Sequence, residues 1–223
     1  MGKQRTRIDE ILSTQSCYCY DDSDILVNKL STQDYTTLEN VERTLTTYNL
    51  SKLHLDPIKG NFDIEHYLAI HKFLFDYIYD FAGELRLENM CKDNTPFCRP
   101  EYIHKYLKYL LLEMGNKSKN IKSEEHLIEF LAYYYSEINM VHPFREGNGR
   151  TEREFFREYV LELNKKIKFG NYELDYSLLD ELDRKQMILG SIISACNGEL
   201  DILKSVFEKV LVNTKEIKET KKR

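Results

Sequence analysis

Apolar positions recur at helical spacing along most of the chain, so most of it reads as helix. Thr32–Leu53 sets Leu38, Val41, Leu45, Tyr48 and Leu53 near one face. Asp56-Pro57 ends that stretch, because the residue before a proline is held out of the helical region. Asp63 reads as an N-cap for Ile64–Phe81, whose apolar set is Tyr67, Leu68, Ile70, Phe73, Leu74, Tyr77 and Ile78. Gly83 marks its end. Pro100 opens a helix running to about Met114, Gly115–Lys122 is a polar linker, and Ser123 precedes a helix over Glu125–Asn139. Glu152–Leu163 follows, then Gly170-Asn171 as punctuation. A last pair, Leu178–Cys196 and Glu199–Val212, is divided by Asn197-Gly198 as a C-cap. Asp24–Leu30 reads as one further short helix.

Glu84–Cys98 breaks this pattern. It is short, mixed in polarity and interrupted by Asp93-Asn94, which suits a β-hairpin or a loop. The expected fold is therefore all-α: a helical bundle with one small β-hairpin. No internal repeat or interdomain linker is evident. The layout divides into an N-terminal extension over residues 1–30, a core with flanking helices over 31–212, and a charged tail over 213–223.

Composition narrows the function classes. The formal net charge of −5 argues against broad attraction to nucleic acid. Met1–Glu10 is charged and no apolar stretch follows it, so neither a signal peptide nor a membrane span is expected. Five cysteines in that setting suit reduced thiols in a cytoplasm. Cys17, Cys19, Cys91 and Cys98 lack the spacing of a familiar zinc site, and His54, His66, His71, His104 and His126 form no ligand pattern. They read as structural side chains, as do Tyr133, Tyr134 and Tyr135 within an apolar helix.

The chemistry concentrates in His142-Pro-Phe-Arg-Glu-Gly-Asn-Gly-Arg-Thr-Glu-Arg153. A loop ending in a helix N-terminus offers unpaired backbone N–H groups and a positive dipole end, which together suit phosphate. His142 can take a proton, and Glu146 can hold a divalent cation. Gly147, Asn148 and Gly149 can wrap phosphate oxygens, while Arg150 and Arg153 can neutralise them. Phe144 suits core packing and Arg145 a solvated position. An ordinary helix–turn–helix connection would explain Gly-Asn-Gly, but it has no need of the His, Phe, Glu and both arginines together.

This segment resembles the signature of the Fic family, His-Pro-Phe-x-Asp/Glu-Gly-Asn-Gly/Lys-Arg-x-x-Arg, without departure. Asn49–Leu53, Pro57–Asp63, Asp80–Arg86 and Asp24–Leu30 are similar to flanking segments of that family. Tyr20-Asp21-Asp22-Ser23 departs from the Tyr-Pro-Gly-Thr often found upstream. The resemblance implies a helical core with a β-hairpin flap over the active site, and transfer of AMP from ATP to a Ser, Thr or Tyr hydroxyl of a target protein. It makes His142 the base and Glu146 the ligand of Mg²⁺. Gly147, Asn148, Gly149 and Arg150 would hold phosphate, and Arg153 the γ-phosphate. Asn61 and Phe62 would lie near the nucleotide base. Met90–Phe97 would be the flap, with Asn94, Thr95, Pro96 and Phe97 aligning a target strand.

The resemblance also implies regulation. Many family members are silenced by a Ser/Thr-x-x-x-Glu-Gly/Asn helix whose Glu pairs with the second arginine, here Arg153. Tyr35–Asn40 carries Glu39-Asn40 but has Tyr35 where Ser or Thr belongs. A buried inhibitory helix would have little room for that ring, which favours inhibition by a separate small antitoxin protein. The layout is similar to two-component toxins whose targets include DNA gyrase and topoisomerase IV. Two other classes stay open: a relative using another nucleotide or a phosphocholine donor, and a nucleotide-binding pseudoenzyme. Intact His142 and Arg153 weigh against the last.

Overall fold

In a computed structural model, which describes residues 15–92 and 95–215, Asp34 opens helix α1 (Tyr35–Leu55) by accepting from the Thr37 N–H. Asp63 does the same for α2 (Ile64–Phe75) through the His66 N–H. Helix α2 stops at Phe75 and does not reach Phe81. Asn49 Nδ2 donates to the carbonyls of Phe73 and Leu74, at 3.1 and 3.3 Å. The N–H groups of Ile78 and Tyr79 both turn to the Phe75 carbonyl, and the Ile78 carbonyl is taken by the Lys29 N–H. The acceptors that would propagate the helix are thus spent elsewhere.

Asp24–Leu30 is not a helix. Its backbone pairs across the chain: Tyr20 N–H with the Ile25 carbonyl, Val27 N–H with the Tyr18 carbonyl, and a bridge joining Cys19 to Leu26. Strands β1 (Cys91–Lys92) and β2 (Thr95–Pro96) form the expected hairpin, antiparallel with Cys91 opposite Pro96. Asn94 lies outside the described residues, as do Met1–Glu10 and the end of the tail from residue 216.

Helix α3 spans Pro100–Lys117 and so takes in the first three residues of the expected linker; a 3-10 turn, Ser118–Asn120, follows. Helix α4 covers Glu124–Val141, and α5, Asn148–Leu163, starts four residues before Glu152. Helix α6 (Glu181–Asn197) opens on a capping box between Asp180 and Asp183 and ends on Gly198 in the left-handed conformation. Helix α7 (Asp201–Val210) completes seven α-helices among the described residues.

A second small sheet went unforeseen. Strand β3 (Tyr172–Leu174) pairs antiparallel with β4 (Leu211–Asn213), where helix was expected to continue to Val212. Asn164 holds β3 from its other edge, accepting from the Tyr172 N–H and donating to the Tyr172 carbonyl. Tyr172 and Leu174 face inward and Glu173 outward, the two-residue period of a strand.

The chain forms two compact units. One holds residues up to Tyr106 plus Val141–Asn148; the other holds Leu107–Met140 and everything from Gly149 on. The first is cored by Leu53, Tyr67, Ile70, Leu74, Phe75 and Phe144. The second is cored by Leu110, Leu131, Tyr135, Phe156, Val206 and Phe207. Each such side chain contributes about 1.5–3 kcal/mol by leaving water. Among the described residues no helix is long and apolar enough to cross a membrane.

Candidate active site

His142 follows the last residue of α4 with φ at +47°, a region that side chains rarely adopt. It is half-buried, and its ring lies on that of Phe97, centroids 3.8 Å apart and planes 6° from parallel. A face-on contact orients the imidazole without using its nitrogens. Phe97 is buried against the base, and its N–H donates to the Met90 carbonyl across the hairpin at 3.0 Å. Thr95 is half-buried and Pro96 exposed at the hairpin edge.

The loop beyond His142 is pinned from below. Phe144 is fully buried as expected, with His71 stacked on its face at 3.7 Å and Tyr67 parallel to it at 5.7 Å. Asn148 closes the loop on itself. Its Oδ1 accepts from the Phe144 N–H and its Nδ2 donates to the Phe144 carbonyl, both at 2.8 Å. The Asn148 side chain is thereby committed to the loop, and its backbone N–H is what it can offer to phosphate. His71 accepts from the Gly83 N–H at Nδ1, which leaves the proton on Nε2, 3.0 Å from the Glu146 carbonyl. By sequence His71 is one of five histidines outside the signature that form no ligand pattern. Its one signal was a histidine on an apolar helix face, and that alone names no partner.

Gly147 has φ at +79°, and a Cβ there would stand 2.3 Å from two ring carbons of Phe75. Both backbone conformation and space require glycine. Its N–H donates to Glu146 Oε1 at 2.7 Å, so the carboxylate occupies the first donor assigned to phosphate. Glu146 also lines a cleft of about 340 Å³ with Tyr35, Glu39, Glu42, Tyr79 and Arg145. Among the described residues no cluster of three or more potential metal ligands forms. One carboxylate fits a Mg²⁺ ion whose remaining ligands are phosphate oxygens and water.

Arg145 is not solvated. Its Nε lies 2.8 Å from Glu88 Oε1, a charge contact more than an aligned hydrogen bond, and both side chains are about one-fifth exposed. Glu39 is exposed on the cleft wall, and Tyr35 is two-thirds exposed. The tyrosine ring thus has room, which removes the steric reason given against Tyr35–Asn40. Asn61 is exposed. Phe62 is half-buried with φ at +57° and its ring against His66, 4.7 Å away.

In the second unit, α5 presents first-turn N–H groups with no acidic residue among them. Arg150 and Arg153 are half-buried. Arg153 folds back along the helix, its Nη1 3.2 Å from where a Cβ on Gly149 would sit. Tyr135, buried, hydrogen-bonds Arg153, and burial pushes its hydroxyl pKa up. Glu152 is 1% exposed, accepts from Asn139 Nδ2 at 3.1 Å, and keeps its other oxygen buried without a partner. Burial holds its carboxyl well above the usual range. Tyr134 is also buried, while Tyr133 is 41% exposed.

The Fic/DOC family model matches residues 61–160, which take in the loop, α4 and most of α5. The chain is 31% identical over 196 residues to protein adenylyltransferase VbhT of Bartonella schoenbuchensis, covering 87% of this chain and 38% of that one. The chain thus spans less than half the length of that relative. It is 30% identical to the probable protein adenylyltransferase y4lH of Sinorhizobium fredii, covering 82% of this chain and 88% of that one. Its fold is similar to that of the BepC protein of Bartonella tribocorum with bound AMPPNP. There the TM-score is 0.74 at 22% identity, covering 88% of this chain and 97% of that one. A complete signature, a loop built to hold it and a relative matched over nearly its full length make this chain a member of the Fic/DOC family.

Proposed function

We propose that this chain is a protein adenylyltransferase that moves AMP from ATP to a hydroxyl side chain of a target protein. The observation that carries the reading is His142, oriented by its face on Phe97 and followed in sequence by the Gly147–Gly149 turn. The relatives named adenylyltransferases and the neighbour holding AMPPNP support the donor.

The target hydroxyl oxygen attacks the α-phosphorus, and His142 takes its proton as the new P–O bond forms. The bond to the bridging oxygen breaks, and pyrophosphate leaves with the electron pair. Backbone N–H groups of Gly147, Asn148 and Gly149 and the guanidinium of Arg150 stabilise the charge that grows on it. Arg153 holds the γ-phosphate. Glu146 would hold Mg²⁺, which supplies charge neutralisation at the phosphates when bound. For the Gly147 N–H to serve phosphate, the Glu146 carboxylate that now accepts from it would have to turn away. Asn61 and Phe62 would flank the nucleotide base.

The hairpin, with Thr95 and Pro96 in its second strand, would pair with a target strand. The finer reading is a bacterial cytoplasmic toxin held by a separate antitoxin, acting on DNA gyrase or topoisomerase IV. The test is incubation of the purified chain with lysate and ATP labelled at the α- or the γ-phosphate, with GTP, UTP and CDP-choline in parallel. Protein label from the α-position only is expected. Label from another donor alone, or none, overturns the reading.

A further inference from the structure

Arg86 is 2% exposed, one of the largest fully buried side chains of the protein. Burying a guanidinium is costly unless its donors are met. Here they meet backbone carbonyls. Nε donates to the His142 carbonyl at 2.7 Å, Nη1 to that of Glu88 at 2.5 Å, and Nη2 to those of Cys98 at 2.5 Å and Val141 at 3.3 Å. The Arg86 backbone N–H adds the Pro143 carbonyl at 2.9 Å.

These acceptors fall on three stretches: the chain entering the hairpin, the chain leaving it, and the loop that carries the base. One planar fork therefore ties both ends of the hairpin to Val141 and His142. Cys98, held at its carbonyl, follows Phe97, whose ring lies under His142. Both halves of that stack are thus fixed through the same side chain. The left-handed backbone of His142 needs such support, since a strained conformation persists only where its surroundings over-determine it. A second tie runs parallel to the first, from the Glu88 carboxylate to Arg145 in the signature loop and to Ser16 Oγ.

We propose that Arg86 is a positioning residue that makes hairpin and base loop one rigid piece, so that a hydroxyl presented on the hairpin meets His142 in a set geometry. The catalytic consequence rests on the adenylyltransferase reading; the clasp itself does not. Lysine cannot replace Arg86, because an ammonium is a point donor and cannot span separated carbonyls with a flat fork.

The test compares the full chain with its Arg86→Lys variant by NMR of histidine ring protons and by steady-state transfer. In the wild type the Phe97 ring current should move the His142 protons upfield. Arg86→Lys should return them toward the position of exposed His126 and lower kcat by roughly 10–100-fold with KM for ATP unchanged. A merely structural Arg86 predicts a lower Tm with His142 resonances and kcat at wild-type values, and that result overturns the proposal. If Arg86→Lys does not fold, exchange of the wild-type Arg86 Nε–H decides. Strong protection from solvent upholds the clasp, and exchange as fast as that of exposed Arg99 refutes it. A wild type that transfers no AMP yet shows the upfield His142 signal and its loss in Arg86→Lys sinks the functional reading alone.

Discussion

The imidazole of His142 rests flat on the ring of Phe97, 3.8 Å away, so the residue beside the hairpin strand also fixes the plane of the base. Removing the imidazole and removing its platform should have separable effects. His142→Ala should lower AMP transfer by about 10²–10⁴-fold, because proton transfer is lost. ATP affinity by calorimetry should be preserved. Phe97→Ala should lower kcat by roughly 10–100-fold, since the base remains but is no longer oriented. Equal loss in both variants would mean that Phe97 acts on the fold and not on the base.

The Glu146 carboxylate makes a second separable case. It now accepts from the Gly147 N–H, and among the described residues no group of three or more potential ligands is at hand to hold a cation without phosphate. Transfer should therefore require Mg²⁺ or Mn²⁺ and collapse in Glu146→Ala. Binding of ATP by Glu146→Ala should lose its dependence on Mg²⁺. Full transfer in excess chelator would remove the assigned role.

Gly147 sits where neither backbone nor neighbour tolerates a side chain. Gly147→Ala should cost about 2–4 kcal/mol, from the left-handed φ and from overlap with Phe75. Calorimetric Tm measures it. Phe75→Leu in the same chain should recover the overlap part and leave the φ part. A Gly147→Ala protein as stable as wild type would contradict the packing described for this loop.

The signature was legible because its chemistry is local: base, carboxylate, turn and arginines follow one another within one loop and one helical turn. Two helix starts were legible for the same reason, since Asp63 and Ser123 act on N–H groups three residues away; the cap at Asp34 was passed over for a start at Thr32. What escaped depends on distant chain. The early end of α2 is set by Asn49 and Lys29, and β4 by pairing with β3. Arg145 looked solvated until Glu88 came beside it. His71 and Arg86 bond to carbonyls, which leave no trace in residue type, so no spacing rule could have found their roles.

Glu152 gives a pH dependence whose sign follows from its burial. Folding raises its pKa well above the ordinary carboxyl value of about 4.3, with Asn139 and Arg153 opposing that rise and Tyr135 close by. Above that ordinary value the folded state binds more protons than the unfolded chain. The stability tied to Glu152 is therefore full below pH ~4 and declines as pH rises toward the folded pKa. Glu152→Gln keeps an acceptor for Asn139 and removes the charge. It should raise stability at pH 8 by about 1–3 kcal/mol, with the gain shrinking to nothing near pH 4. Tm against pH for both proteins measures this, and a gain constant with pH would show that charge burial is not its cause.

Glu39 decides between silencing from within the chain and from outside it. It lies exposed on the wall of the cleft that Glu146 shares, so its position alone does not disqualify it. Tyr35 is two-thirds exposed and occupies the place where an inhibitory helix of the resembled kind has Ser or Thr. The Ser/Thr hydroxyl is therefore missing although space for one exists. We expect the purified chain to be active already and Glu39→Gly to leave its transfer rate at the wild-type value. A separate inhibitor should instead lower activity in proportion to its occupancy. It should also raise Tm with a concentration dependence of RT ln(1 + [L]/Kd), about 2.7 kcal/mol at a hundredfold excess over Kd. Strong activation of the isolated chain by Glu39→Gly would reverse this assignment and make the silencing internal.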